Sequence, residues 1–429
     1  MTRRIARKAT RTQSTLSTYV ISFLLLLSVY FMILTVRIAH APIIRAIDLV
    51  PIIMVALSFV VVRIALLAGG YQGDPVLPPL ALLLSGLGLL LQYRMGSVNW
   101  SDLSKLAVFA YPLGWLMFVV VWMLFRNGRY GKLIGLALPS LFIACGVLAI
   151  ILIFGQRFRG AVFLFGQTNP AELVKLFICI YLAGVVTDFR KPLQQTVAGI
   201  PAPPAQSIIT LAVLWVIPMV LLLSQRDLGM IILLNLAFVV LVFMATGRWG
   251  YPALGFLAAV MAAYGAFQFF DHAHVRYLAW QNPFASPTGY GWQILQSLSA
   301  MFSGGLWGSG FGHGSPAVVP IAASDFIYAA IAEEFGFVGC VWLIVLYLLL
   351  FYRGYRIADQ QKQEFARNLA TALITMLAIQ TLMNIGGVTK AIPLTGITLP
   401  LISYGGSSLV TTLIMLGLLA AISDKIGKR

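Results

Sequence analysis

Long apolar runs recur along almost the whole 429-residue chain. A helix needs about 20 predominantly apolar residues to cross the hydrocarbon core of a bilayer, and about twelve runs approach that length. We predict spanning helices at residues 18–36, 48–69, 76–92, 106–125, 133–154, 170–186, 207–224, 229–246, 250–269, 326–352, 368–387 and 404–423. The pattern therefore predicts an all-α polytopic membrane protein.

One long polar interruption separates the ninth and tenth apolar runs, at residues 270–325. Loops of this length between helices are uncommon and are typically functional. Its glycine-rich run, residues 304–314, does not follow a strand and does not end in Lys-Ser/Thr, which excludes an ATP-type phosphate loop. We expect a tightly folded loop whose backbone amides are suited to an anionic group.

The composition agrees with a membrane protein. Apolar residues make up 60% of the chain and charged residues only 10%, whereas soluble domains carry about 25% charge. A cytosolic globular protein and a disordered chain are both excluded. The three cysteines lie inside apolar runs, so neither a disulfide framework nor a thiolate metal site is predicted.

The charge balance is strongly basic, with 29 Lys+Arg against 13 Asp+Glu and a net charge of +16. An even number of spans puts both termini on one side, and about two-thirds of the basic residues then fall on that side. We therefore predict both termini inside, residues 270–325 outside the cell, and no nucleic-acid partner. The predicted organisation is a basic cytoplasmic N-terminus, 1–17, followed by a single transmembrane domain, 18–429.

Ionisable residues at membrane depth are costly, so each is a candidate for function. Glu172 and Lys175 are three residues apart and share one face of the sixth predicted helix. They form either a neutralising pair that locks the bundle or the polar wall of a substrate cavity. Asp227 lies near the outer interface, where Arg226 is suited to neutralise it in a surface ion pair.

Three further polar features are candidates. Glu333 and Glu334 lie inside the tenth predicted span and point about 100° apart, so we expect only one to face a given cavity. Lys390 and the proline-broken residues 393–407 form either a plain turn or a cavity lining, in which Lys390 supplies a charge suited to phosphate. The Asp-His-Ala-His sequence at 271–274 lacks the spacing of the common zinc sites, and we predict no protein-ligated metal.

Several motifs occur in the order typical of one family. These are residues 74–95 (Asp-Pro to Tyr-Arg-Met), 170–175 (Pro-Ala-Glu-Leu-Val-Lys), 225–229 (Gln-Arg-Asp-Leu-Gly), 293–298 (Gln-Ile-Leu-Gln-Ser-Leu), 325–336 (Asp-Phe-Ile to Glu-Glu-Phe-Gly) and 387–407 (Gly-Val-Thr-Lys to Ser-Tyr-Gly-Gly-Ser). With them the chain resembles the SEDS family of shape, elongation, division and sporulation proteins, which includes RodA and FtsW. The resemblance is strongest to the RodA-like twelve-span branch.

This resemblance implies a peptidoglycan glycosyltransferase of the bacterial cytoplasmic membrane that polymerises lipid II, the undecaprenyl-pyrophosphate-linked precursor. It also implies a class B penicillin-binding transpeptidase as partner, a surrounding of membrane lipid, and a divalent cation, Mg or Mn, bridging the substrate phosphates. The substrate-binding residues that it indicates are Glu172, Lys175, Asp227, Arg276, Gln293, Gln296, Lys390 and Ser403.

The sequence departs from the family at the catalytic position. Where the family has an Asp that serves as general base, in Asn-Pro-x-x-Asp-Pro, this chain has Ser286. A serine hydroxyl does not accept a proton at neutral pH unless another base activates it. Asp271, Asp325 and Glu334 are the acids available as substitutes.

Two other functions stay open. A non-polymerising relative, acting as precursor translocator or as scaffold for the transpeptidase, would account for Ser286. An ion-coupled transporter would use Glu172, Lys175 and Glu334 as a proton relay, but the chain shows no evident inverted repeat.

Overall fold

The structure is a computed structural model that describes residues 19–31, 49–96, 106–158, 161–163, 170–197 and 200–424. Within those ranges a helix lies over each of the twelve predicted apolar segments. The predicted basic N-terminus, 1–17, and the second part of the first segment, 32–36, lie outside the described residues. The division into this N-terminus and one transmembrane domain stays a prediction.

The helices, in chain order, are α1 Tyr19–Phe31, α2 Val50–Ala68, α3 Leu77–Arg94, α4 Leu106–Phe125, α5 Ala137–Phe154, α6 Ala171–Asp188, α7 Arg190–Leu193, α8 Ala205–Ser224, α9 Leu228–Thr246, α10 Gly250–Phe269, α11 Asp271–Gln281, α12 Trp292–Gly304, α13 Ile327–Asp359, α14 Glu364–Val388 and α15 Gly406–Asp424. A 3₁₀ helix, Arg129–Leu136, precedes α5. Two further 3₁₀ turns lie at Pro283–Ala285 and Pro316–Val318.

Strands are minimal in the part of the chain that the structure describes. β1, Gln156–Phe158, pairs with β2, Ala161–Phe163, and β3, Thr196–Val197, pairs with β4, Ile200–Pro201, both antiparallel. Each pair closes a short connection between helices. The prediction of an all-helical polytopic architecture is therefore confirmed, with these two short strand pairs added.

Eight helical segments among the described residues are long and apolar enough to cross a membrane, judged by length and composition. They are Val50–Ala68, Leu77–Arg94, Arg129–Phe154, Ala205–Ser224, Leu228–Thr246, Ile327–Asp359, Glu364–Val388 and Gly406–Asp424. Shorter apolar helices occupy Tyr19–Phe31, Phe109–Phe125 and Gly250–Ala262. The remaining predicted segment contains α6, which is similar in length but carries the ionisable residues Glu172, Lys175 and Asp188. The location of both termini inside the cell stays a prediction.

The distribution of apolar side chains is that of a membrane protein. Large apolar residues such as Ile153, Phe256 and Leu348 are mostly exposed on helix surfaces, whereas polar groups such as Lys175 and Gln380 are buried. In water this arrangement would be unfavourable by roughly 25 cal/mol for each Å² of apolar surface exposed. Lipid chains remove that cost, so the outer surfaces of these helices are suited to contact a bilayer.

The chain divides into two compact units. The first comprises residues 1–128, 300–354 and 401–429, and in it α4 packs along α15 while α2 packs on α3 and α4. The second comprises residues 129–299 and 355–400, and in it α6 packs against α5, α9 and α14.

The end of α15 is fixed in the first unit by a buried carboxylate. Asp424 accepts hydrogen bonds from the indole Nε1 of Trp122, at 3.2 Å, and from the amide of Gln72, at 2.7 Å. Nearby, Arg353 of α13 forms an ion pair with Asp74, which also caps the start of α3 by accepting from the amides of Val76 and Leu77.

Residues 270–325 differ from the loop that we predicted. They contain α11 and α12, which are only 11 and 13 residues long and so fall short of the apolar runs from which we predicted helices. The tenth predicted span also differs, because α13 is two helices that meet at a break at Gly336. Glu333 and Glu334 therefore lie in the short helix before the break, not within a continuous span.

Gly336 has φ 66° and ψ −168°, a conformation that is essentially restricted to glycine. A Cβ there would lie 2.2 Å from the backbone nitrogen of Gly308. The break frees the amides of Phe337 and Val338, which donate to the carbonyls of Gly305 and Leu306. The glycine-rich run thus completes the hydrogen bonding of the broken helix.

We predict that Gly336→Ala lowers the free energy of unfolding by at least about 2 kcal/mol, because the new methyl group combines a forbidden backbone conformation with a backbone clash. Thermal unfolding in detergent measures this. Gly146→Ala is the matched control, since a Cβ at Gly146 in α5 meets no atom within 4 Å, and there alanine should stabilise the helix by up to about 1 kcal/mol. Equal stability of the two variants would contradict the prediction.

Candidate functional site

In the second unit, buried charges gather around α6. Lys175 is 1% exposed, forms an ion pair with Glu172 one turn before it, and donates from Nζ to Oε1 of Gln380 at 2.7 Å. A buried ammonium is tolerated only when it is paired and hydrogen-bonded, and both conditions are met here. The structure thus brings Glu172 and Lys175 together as the spacing predicts. We call Glu172, Lys175, Asp227, Arg276 and Gln380 the α6 cluster.

Asp227 joins this cluster through its position at the start of α9. Its carboxylate caps the helix by accepting from the amide of Met230 at 3.0 Å. The pKa of Asp227 is raised, mainly because the carboxyl group is buried. The hydrogen bond from the Met230 amide acts in the opposite direction, as do the charges of Arg276 and Lys175, whereas Glu172 adds to the rise. The predicted ion pair with Arg226 does not form within the described residues, because Arg226 is exposed and in a left-handed conformation, with φ 60°.

Arg276, on α11, contacts the backbone between α14 and α15. Its Nη1 donates to the carbonyl of Thr395 at 3.0 Å and lies 3.4 Å from that of Leu394. We call residues 389–400, which follow α14 and contain Pro393 and Pro400, the proline segment. These hydrogen bonds hold Arg276 against the proline segment, and both belong to the second unit.

The proline segment is irregular but firmly held. Trp280 donates to the carbonyl of Lys390 at 3.1 Å, Asn384 to that of Ile397 at 2.7 Å, and Gln380 to that of Thr398 at 2.9 Å. Lys390 is half-buried and has φ 62°. The segment is therefore an ordered element, and its role as a cavity lining stays a prediction.

The predicted residues of α12 and the adjoining turn show fewer contacts. Gln293 and Gln296 are half-buried and make no side-chain hydrogen bond to any other described residue, whereas the neighbouring buried Ser297 donates to the carbonyl of Val388 at 3.1 Å. Ser286 is half-buried, and its carbonyl accepts from the amides of Gly289 and Gly291. No acid is hydrogen-bonded to the Ser286 hydroxyl in the described part of the chain.

In the first unit, a second group of charges lies around the short helix before Gly336. Glu334 is 3% exposed and pairs with Nη2 of Arg94 at 3.1 Å. Glu333 accepts on Oε1 from the amide of Ser315 at 2.7 Å, and its carbonyl accepts from the amide and hydroxyl of Ser309, both at 2.9 Å. The Glu333 carboxylate therefore binds one amide of this region, that of Ser315, and the binding of an external anion by the glycine-rich run stays a prediction.

Asp325 and Ser403 also belong to the first unit. The Ser403 hydroxyl donates to the carbonyl of Ser324, and the Tyr404 amide donates to the carbonyl of Ala323 at 2.7 Å. These bonds hold the start of α15 beside the residue that precedes Asp325. Asp325 itself is half-buried. Its role as a substitute base stays a prediction, as do the roles of the other predicted site residues.

Four residues that hold the site were missed in the sequence: Trp280, Ser297, Gln380 and Asn384. Gln380 and Asn384 carry a signal, since two amides one turn apart inside an apolar run must find partners at membrane depth. No group of three or more His, Cys, Asp or Glu residues suited to a metal occurs among the described residues. The predicted divalent cation is therefore left as a proposal.

The fold and these groups define a multi-pass helical membrane protein. Its buried charged residues are held by ion pairs or hydrogen bonds, and its exposed helix surfaces are apolar. The sequence profile of the FtsW/RodA/SpoVE family, described as cell cycle proteins, matches residues 75–427. The chain belongs to this family, which confirms the SEDS resemblance.

Known proteins agree with this assignment. The peptidoglycan glycosyltransferase RodA of Mycobacterium bovis is 35% identical over 374 residues, which are 82% of this chain and 78% of that protein. A chain from a solved peptidoglycan synthase complex superposes with a TM-score of 0.64 at 28% identity, covering 82% of this chain and 98% of that one. The rod shape determining protein RodA of Thermus thermophilus gives 0.57 at 25% identity, with 82% and 96% covered. The chain is therefore a multi-pass bacterial membrane protein.

We predict that Gln380→Leu lowers the free energy of unfolding by about 2–3 kcal/mol, because it leaves Lys175 with one partner fewer and removes one donor from the Thr398 carbonyl. Chemical or thermal unfolding in detergent measures the change. Gln360→Leu makes the same replacement at an exposed position at the end of α13 and should be nearly neutral. A Gln380 variant as stable as this control would show that Gln380 does not hold the α6 cluster.

We also predict that Arg94→Met destabilises the first unit by about 2–3 kcal/mol, less than a fully buried pair because Arg94 is 22% exposed. The reason is that the buried Glu334 carboxyl loses the cation that offsets its burial. The double variant Arg94→Met/Glu334→Gln should recover most of this loss in a double-mutant cycle. Strictly additive effects of the two replacements would count against a direct pair.

Proposed function

We propose that this protein is a peptidoglycan glycosyltransferase that polymerises lipid II at the outer face of the bacterial cytoplasmic membrane, with a class B penicillin-binding transpeptidase as partner. The observation that carries the proposal is the chain of contacts from buried Lys175 through Gln380 to Thr398 of the proline segment. It supports a pre-organised, cation-bearing site at the membrane. The name of the RodA relative, matched over most of both chains, supports the reaction class.

The reaction joins a sugar 4-hydroxyl to the anomeric carbon of a second sugar, whose bond to the lipid diphosphate breaks. The hydroxyl proton passes to a base, and the departing diphosphate takes the bonding electrons. Arg276, Lys390 and Lys175 are the cations that we assign to the diphosphate. Glu172 and Asp227 offset part of this positive charge, and Glu172 also fixes the position of Lys175 through their ion pair.

The mechanism also needs a general base to accept the hydroxyl proton, and Ser286 has no carboxylate for this role. Asp325 and Glu334 are the acids that we propose as replacements. Glu334 is the less available of the two, because its ion pair with Arg94 favours the ionised form but occupies the carboxylate. A positioned base contributes about 10²–10⁴-fold to a rate, so the wild-type protein should be a slow enzyme.

The described residues do not offer an all-protein metal site. Mg²⁺ is typically held through one or two carboxylates together with substrate phosphates, and we propose that a divalent cation, Mg or Mn, binds in this way. When bound, it would neutralise charge on the diphosphate. The protein's own cations have the same task.

A second function, that of a non-catalytic precursor translocator or transpeptidase scaffold, is favoured by Ser286. Its hydroxyl has no acid partner in the described residues, so nothing observed there would activate it. The two functions differ in one product, the glycan strand.

The test is a polymerisation assay with purified protein, lipid II, Mg or Mn, and the cognate transpeptidase. We expect short glycan strands from the wild type, their loss in Asp325→Asn or Glu334→Gln, and a rate increase of about 10²-fold in Ser286→Asp. Ser299→Asp is the matched control, because it adds the same charge at an exposed serine of α12 and should change little.

No product from the wild type, with strands appearing in Ser286→Asp, would overturn the active enzyme and favour the scaffold. Movement of lipid II across vesicle membranes without polymer would favour the translocator.

A further inference from the structure

Arg63 is a charged residue inside the apolar helix α2. Its guanidinium forms no ion pair and no hydrogen bond with any described residue, and its Nε is buried without a partner. The guanidinium instead lies over an aromatic ring, with Cζ 5.1 Å from the ring centroid of Tyr19. Charges at membrane depth are costly and are typically paired, so Arg63 needs an acceptor from outside the described chain.

Arg63 lies beside the part of α2 that is suited to contact lipid. Val60, Ile64 and Leu67 are each more than half exposed, and Arg63 itself is partly exposed. These apolar side chains are suited to acyl chains and offer no hydrogen-bond acceptor. The guanidinium is therefore accessible at the edge of the surface that a bilayer covers.

The distance of Arg63 from the helix end suits contact with lipid phosphates. Arg63 precedes the last residue of α2, Ala68, by five residues, which is about 7.5 Å along the helix axis. An arginine side chain can extend over such a distance and place its guanidinium at the membrane interface. Tyr19 beneath it is 6% exposed and packs edge-on against Phe59 of α2, with ring centroids 6.4 Å apart. The buried ring therefore gives the guanidinium a fixed base.

Acidic partners are scarce around this end of α2. Residues 1–73 contain one acid, Asp48, which precedes α2 at the opposite end of the helix. The two acids that hold the connection between α2 and α3 are already engaged. Asp74 is paired with Arg353, and Asp424 accepts hydrogen bonds from two other groups. The protein thus supplies Arg63 with no carboxylate in this part of the first unit.

The same end of α2 carries further positive charge. Arg126, which follows α4 directly, donates from Nη1 to the carbonyl of Gly69 and lies over the ring of Trp122, 5.4 Å from its centroid. Residues 1–17, which precede α1 in the sequence, contain five basic residues and no acid. Basic groups close to a membrane surface attract anionic lipids. The charge of this region therefore favours an anionic lipid over a zwitterionic one.

We propose that Arg63 binds the phosphate of an anionic phospholipid, such as phosphatidylglycerol, in the leaflet that contacts the C-terminal end of α2. A planar guanidinium can donate two parallel hydrogen bonds to one phosphate group. The acyl chains of the same lipid would cover Val60, Ile64 and Leu67. The site lies on helices that precede residues 75–427, which the family profile matches, and it does not depend on the proposed function.

The experiment measures lipid binding to the full-length protein in a neutral detergent by native mass spectrometry. Phosphatidylglycerol and phosphatidylcholine with the same acyl chains are titrated separately. Arg63→Gln removes the charge, and Arg63→Lys keeps the charge without the planar donor group. Arg129→Gln is the matched control, because it makes the same charge change at an exposed arginine of the second unit.

We expect the wild type to bind its first phosphatidylglycerol more tightly than phosphatidylcholine. Arg63→Gln should weaken phosphatidylglycerol binding on the order of tenfold, and Arg63→Lys should weaken it less. Arg129→Gln should bind as the wild type does. Phosphatidylglycerol should also raise the melting temperature of the wild type more than that of Arg63→Gln.

Equal phosphatidylglycerol affinity in the wild type and Arg63→Gln would overturn the proposal. Equal weakening in the two glutamine variants would also overturn it, because that result would show a general effect of net charge. Displacement of the lipid by millimolar glycerol phosphate would show a site for the phosphate group alone and not for a phospholipid. Should Arg63→Gln fail to fold, Arg63→Lys decides, since an unchanged affinity there would reject the guanidinium contact.

Discussion

The second unit depends on how the backbone of the proline segment is satisfied at membrane depth. In hydrocarbon, every unpaired backbone group costs several kcal/mol, so a non-helical segment needs partners from elsewhere. Here the partners are side chains: Trp280, Asn384, Gln380 and Arg276 donate to its carbonyls. Gln380 also accepts from Lys175, so the same amide that fixes the segment stabilises the buried charge of α6. Backbone pairing and charge burial are therefore one network and not two.

The first unit solves a related problem with backbone in place of side chains. The break at Gly336 removes helical partners from Phe337 and Val338, and the carbonyls of Gly305 and Leu306 accept from them. The Glu333 carboxylate accepts a hydrogen bond from the amide of Ser315 in the same region. Carbonyls of the glycine-rich run thus join a broken helix to its own loop, and the binding of an external anion by its amides stays a prediction.

The sequence was sufficient for the helices over the twelve apolar segments, because bilayer thickness sets a length that composition reveals directly. It also paired Glu172 with Lys175, since helical spacing alone brings them together. It did not predict Asp227 as a helix cap, because Arg226 is the neighbour in sequence but turns away through a left-handed backbone. Nor did it predict the link from Lys175 to Gln380, which joins residues 205 positions apart. Local periodicity carries no information about such pairs.

The replacement at Ser286 affects only one part of this arrangement. The α6 cluster, which includes Arg276, contacts the proline segment without involving Ser286. The described backbone hydrogen bonds of Ser286 are local and come from Gly289 and Gly291. Under the proposed function, binding of a charged lipid headgroup and transfer of a proton are therefore separable demands on this chain. Evolution or design can alter the base without dismantling the charge network, because the network is stabilised by its own hydrogen bonds. A relative that binds substrate well and reacts slowly is the natural consequence of such a separation.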